Sequence, residues 1–180
     1  TSSCADFLVE AIGNDTRLLY NELQKLQLYV QDSNQTLDVE KASQLVQNST
    51  QNSLQLAGAI RMGDTAKALS LVADLMSAYE PSLRIVATLI GQFRTWLWVR
   101  IMMETGERDP KAIASAAEVR NHFRIKYLQQ EIRFLSAQQL ISCLPILLEL
   151  EVNLKQGSPQ TLTLQTKVIE LCQICQKSRQ

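Results

Sequence analysis

Residues 82–104, SLRIVATLIGQFRTWLWVRIMME, decide the fold. They form the most apolar run of helical length in the chain and hold both tryptophans, Trp96 and Trp98. At about 1.5 Å per residue the run makes a rod of roughly 30 Å. Leu83, Val86, Ala87, Ile90, Leu97 and Ile101 recur at helical spacing as one stripe, and Ile85, Leu89, Trp96, Val99 and Met103 as another. A helix that is apolar around most of its circumference is a buried one. The length also suits a membrane span. Arg84, Gln92, Arg94 and Arg100 argue against it, because each charge near a bilayer centre costs about 2.5 kcal/mol or more. The stretch is expected to be the central helix of a soluble all-α domain.

The flanks of this run carry the same signature. Upstream, Glu80-Pro81 ends a helix that starts at Asp64, since a residue before proline avoids the helical region. Ala68, Leu71, Val72, Leu75, Met76 and Tyr79 give that helix its inward stripe. Before it, LQLAGAIRMG (54–63) ends at Gly63, and the polar stretch QNSTQNS (47–53) is expected to be a break between domains. Further back, residues 16–30 form an amphipathic helix with Leu19, Leu23, Leu26 and Val30 inward, followed by a polar loop at 31–35. Short helices are expected at 3–12 and after Thr36.

Downstream, Asp109-Pro110 supplies a capping carboxylate and a proline suited to the first helical position. An Ala-rich helix runs to about 118, and another spans 121–135 with Phe123, Tyr127, Leu128, Ile132 and Leu135 inward. Ser136 and Gln139 make a capping box. The helix from 137 to 156 is expected to turn Leu140, Ile141, Leu144, Leu147, Leu148 and Leu154 inward, and it contains Pro145, which should kink it. The last helix, about 160–176, turns Leu164, Val168, Leu171 and Cys175 inward. The β-branched residues are scattered within helical patterns, so the expectation is about ten helices joined by short connections, with antiparallel neighbours.

Composition narrows the function. With 180 residues the chain can bury a sizeable core. Eighteen basic residues balance eighteen acidic ones, so overall charge demands neither nucleic acid nor an anionic membrane. Cys4, Cys143, Cys172 and Cys175 are irregularly spaced, as for reduced, buried thiols of a cytoplasmic protein. The N-terminus lacks a signal peptide and an initiator Met, as expected of a fragment or a processed chain.

Chemistry-bearing motifs are sparse. There is no phosphate-binding loop and no His-rich metal motif, so neither cofactor nor metal is expected. The single histidine, His122, beside Phe123, suits a surface or packing role. Cys172-x-x-Cys175 lies in an amphipathic helix without a second pair, as small apolar fillers do. Two basic groups remain. Arg84, Arg94 and Arg100 mark the central helix; Arg120, Arg124, Lys126 and Arg133 are interleaved with Phe123 and Tyr127. The second group fits an ordinary basic helix surface or a face that meets phosphate.

Residues 13–30, GNDTRLLYNELQKLQLYV, resemble the signature of the delta subunit of the bacterial DNA polymerase III clamp loader. Collinear matches follow: TLDVE (36–40), LAGAIRMGDTAKAL (56–69), EPSLRI (80–85), Gly91-Gln92-Phe93-Arg94, Leu154-Lys155-Gln156-Gly157 and Leu171-Cys172. The resemblance implies a partial helical lid domain at 1–46 and a helical collar domain at 47–180. It implies a non-ATPase structural subunit of the cytoplasmic replication machinery, with no catalytic residue of its own. The implied partners are the delta-prime and ATPase subunits of the loader, held through the collar. The sliding clamp would be met only through an N-terminal module that has no counterpart here. Leu150, Leu162 and Ile169, off the main stripes of the last two helices, are candidates for the subunit interface. The group Arg120, Arg124, Lys126 and Arg133 is the candidate for primer-template DNA. Two alternatives compete: a helical interaction module unrelated to replication, and an all-helical enzyme with a site inside the bundle.

Overall fold

The computed structural model describes residues 4, 5, 8, 16–33 and 49–176. These residues form eight α-helices and one 3₁₀ turn, with no strand among them. The helix expected after Thr36, and most of that expected at 3–12, lie outside the described residues. The chain divides into two compact units, Thr1–Asn52 and Ser53–Gln180.

In the first unit, helix α1 (Thr16–Ser33) runs three residues past the expected end. Leu26 is buried, and Leu19 and Val30 are half-buried. Leu23 was expected inward but is exposed. It leans toward the side of α1 that carries exposed Tyr20 and Gln27.

The rest of the chain forms α2 (Ser49–Met62), α3 (Thr65–Ser77), α4 (Ser82–Glu104) and α5 (Pro110–Ala116). A 3₁₀ turn at His122–Arg124 follows, then α6 (Ile125–Glu131), α7 (Ala137–Lys155) and α8 (Gln160–Gln176). Helical structure begins inside the expected break at 47–53, where the two compact units also divide. Residues 49–53 are the first turn of α2, and Ser53 is buried. Ser, Thr and Asn suit a helix start because their short side chains can satisfy orphan N–H groups.

Capping chemistry starts the helices where the sequence places it. The Asp64 carboxylate accepts from Lys67 N at 3.0 Å, and the Asp109 carboxylate from Lys111 N at 3.0 Å. Ser136 Oγ accepts from Gln139 N at 3.2 Å while Gln139 Oε1 accepts from Ser136 N at 3.0 Å, closing the capping box. Helix α7 continues through Pro145, which lies on its exposed side.

Helix α4 packs chiefly against α7, and also against α5 and α6, while α8 covers α7 and α3. The buried side of α4 is Ile85, Val86, Leu89, Phe93, Trp96 and Val99. Phe93 and Trp96 meet edge-on, with centroids 5.1 Å apart. Such a pair contributes about 0.5–1.5 kcal/mol beyond its area. The expectation of burial all round is corrected: Leu83, Ala87, Gly91, Arg94 and Trp98 face outward. Trp96 is 2% exposed and Trp98 44%. Cys4, Cys143, Cys172 and Cys175 are free and buried. Burial pushes the Cys172 thiol up to about 11, and a hydrogen bond with Cys143 raises Cys175 further.

Candidate nucleic-acid interface

The expected helix at 121–135 is broken into the 3₁₀ turn and the seven-residue α6. Asn121 starts the turn, its side-chain oxygen accepting from Phe123 N at 3.0 Å. From there Ile125, Leu128, Ile132 and Leu135 descend into the core. Their spacing of three and four residues is one helical stripe. The aromatic residues do not follow them. Phe123 is 72% exposed, Tyr127 66% and Phe134 55%, which corrects the inward placement of the first two. A short peripheral helix has neighbours on one side only, and the aliphatic stripe takes that side.

Among these aromatics stand the four cations read from the sequence. Arg120, Arg124, Lys126 and Arg133 are all exposed. The Arg133 guanidinium lies over the Phe134 ring at 4.1 Å, and the His122 and Phe123 rings are 4.2 Å apart. One of the nearby acids is turned inward: Glu131 accepts from the buried Trp96 indole N–H at 2.9 Å. The Arg61 guanidinium, 5.8 Å from the Trp96 ring centre, donates to the Glu131 carbonyl oxygen. Thus α2 and α4 hold the end of α6, and the outward charge of the segment is dominated by cations.

Between α4 and the α5–α6 connection lies a hollow of about 370 Å³. Gln92 and Thr95 line it from α4, and Glu118, Arg120, Asn121 and Arg124 from the connection. Val119 and Leu128 supply its apolar wall. Among the described residues, the side chains of Gln92, Thr95, Arg120 and Arg124 make no hydrogen bond or ion pair. Glu118 has φ 55°, in the left-handed region. Its N–H bonds Ser115 O at 3.3 Å and Val119 N–H bonds Ala114 O at 2.8 Å. That pattern is a Schellman helix end with Glu at the position that favours glycine. Phe134 and Glu118 are not marked by any sequence motif; Gln92 is marked as a polar residue of the central helix, not as a neighbour of the basic group. Phe134 adjoins Arg133 and was legible from the interleaving; Gln92 and Glu118 come together only through packing.

The interface candidates on the last two helices separate. Leu162 is exposed, Ile169 is half-buried, and Leu150 is fully buried in the core. The outward apolar residues of α7 are Ile141, Pro145, Leu148 and Val152, which corrects the inward placement of Ile141 and Leu148. They follow one another at intervals of four, three and four, so they form one exposed apolar stripe.

Residues 50–171, over half of the chain, match the family described as DNA polymerase III delta subunit, C-terminal domain. The chain belongs to this family. A curated relative, DNA polymerase III subunit delta of Bacillus subtilis (strain 168), is 26% identical over 157 residues. That alignment covers 87% of this chain and 44% of the relative. Among solved structures, the Bacillus subtilis DNA clamp loader delta protein (YqeN) is similar in fold, with a TM-score of 0.66 at 24% identity. The match takes in 96% of this chain and 51% of that one. The chain therefore spans about half the length of the relatives it matches. Among the described residues, the outward aromatic–basic face and the α7 stripe are surfaces whose chemistry the packing of the core does not use. No helix among the described residues is long and apolar enough to cross a membrane.

Proposed function

We propose that this chain is the C-terminal part of a clamp-loader delta subunit and that its role is mechanical. Residues 47–180 act as the collar that joins the other loader subunits, delta-prime and the ATPase subunits, and residues 1–46 belong to the lid that precedes it. The family match over residues 50–171 carries this reading. It is supported by the α7 stripe of Ile141, Leu148 and Val152, exposed apolar surface of the kind that docks a neighbouring protein. Leu162 on α8 is likewise exposed. The cysteines support a structural role, because thiols held protonated by burial are poor nucleophiles and metal ligands.

The face of Arg120, Arg124, Lys126 and Arg133, with Phe123, Tyr127 and Phe134, meets DNA held by the loader. Exposed aromatics stack bases and cations follow the backbone, which suits a single-stranded template more than a duplex.

The test is assembly. The purified chain is mixed with delta-prime and the ATPase subunits and followed by size-exclusion chromatography with light scattering. Co-migration at the mass of a complex is expected, and Leu148→Asp with Val152→Asp should abolish it while leaving the helical circular dichroism unchanged. A folded chain that stays monomeric in the mixture would remove the collar role.

A further inference from the structure

The hollow beside the aromatic–basic face has a composition that stacking does not account for. Two guanidiniums, Arg120 and Arg124, stand at its edge without any hydrogen bond or ion pair among the described residues. Gln92 and Thr95 offer unused polar groups from α4, and Glu118 brings a carboxylate. The volume of about 370 Å³ lies at the small end of ligand clefts, which run from about 300 to 1,000 Å³. It suits one nucleotide rather than a length of strand.

Glu118 adds an independent observation. It occupies a left-handed position where glycine is favoured, and a non-glycine residue there costs stability. Glycine would close the helix end equally well. The residue that the strain retains is one that lines the hollow.

We propose that this hollow is a single-nucleotide subsite for one unstacked base of a DNA single strand lying along the aromatic–basic face. The inference rests on the DNA reading of that face. Arg120 and Arg124 take the phosphate, as guanidiniums do by paired N–H donation. The base enters against Val119 and Leu128, and the Glu118 carboxylate accepts from its exocyclic amine while the Gln92 amide bonds the adjacent edge. Cytosine and adenine present such an amine; thymine presents a carbonyl oxygen at the corresponding place, which the carboxylate repels.

The experiment uses the whole 180-residue chain and fluorescein-labelled 12-nucleotide strands: oligo-dC, oligo-dT and an abasic strand of equal length. Anisotropy titrations should give oligo-dC at least about a fivefold advantage over oligo-dT, the lower end expected of a good base contact. Glu118→Gly should erase that preference and raise the melting temperature by about 2–4 °C through relief of strain. Tyr79→Gly is the control, since Tyr79 also has a left-handed backbone, φ 56°, but lies away from the hollow. It should raise the melting temperature and leave the preference intact. Arg120→Ala with Arg124→Ala should weaken all three strands, the abasic one included.

Equal binding of oligo-dC and oligo-dT, or a preference that survives Glu118→Gly, would overturn the subsite. If binding still fell on substitution of Phe123 and Phe134, the face would stand without it. Failure of all three strands to bind would overturn both.

Discussion

Two aromatic clusters of this chain have opposite fates. Phe93 and Trp96 lie at the heart of the core, while Phe123, Tyr127 and Phe134 stand in solvent within one short segment. Both segments carry apolar residues on more than one helical stripe. What separates them is length and how much of each helix is buried. Helix α4 is packed by α5, α6 and α7 and buries its aromatic side. Helix α6 has seven residues and buries only Ile125 and Leu128. The aromatics left over are large, rigid and interleaved with cations, and on the proposed function they contribute to binding rather than to stability. Trp96 and Trp98 repeat the contrast within one helix, two residues apart and on opposite sides.

The contrast breaks most visibly at Trp96. Trp96→Ala should cost about 3–5 kcal/mol, because it opens a cavity and leaves the Glu131 carboxylate without its indole donor. Chemical denaturation would read this as a large drop in midpoint. Ser136→Ala should cost about 1 kcal/mol through loss of the capping box at α7, measured the same way. Trp98→Ala and Phe134→Ala should each change stability by no more than about 0.5 kcal/mol. A cost at Phe134 comparable to that at Trp96 would erase the distinction between the clusters. The smallest effect concerns the thiols. Native Cys172 should resist alkylation by iodoacetamide at pH 8, well below its pKa of about 11, and react only on unfolding.

Much of the fold is legible in the sequence because its signals are local. Asp64, Asp109-Pro110 and Ser136 with Gln139 start helices where they stand, since capping depends on residues within one turn. The central helix is likewise set by its own apolar run. What a single strand of letters does not hold is which of two apolar stripes finds a partner. Phe123 and Tyr127 share helical spacing with the core and still face water; Leu150 lies off its expected stripe and is fully buried. Tyr79 is 92% exposed because Glu80-Pro81 ends α3 before the stripe reaches it. At the candidate site the cations are legible as an interleaved cluster. The hollow is not, because Gln92 and Glu118 are 26 residues apart and meet only when α4 packs beside the α5–α6 connection.

The most direct measurement compares the whole chain with a variant carrying Phe123→Ser, Tyr127→Ser and Phe134→Ser, using thermal melting and anisotropy with labelled single-stranded DNA. The expected result is an unchanged melting temperature and an affinity at least about tenfold weaker, from stacking of about 1–3 kcal/mol per base. A melting temperature lowered by many degrees with DNA binding unaltered would contradict it, and would return these aromatics to the core.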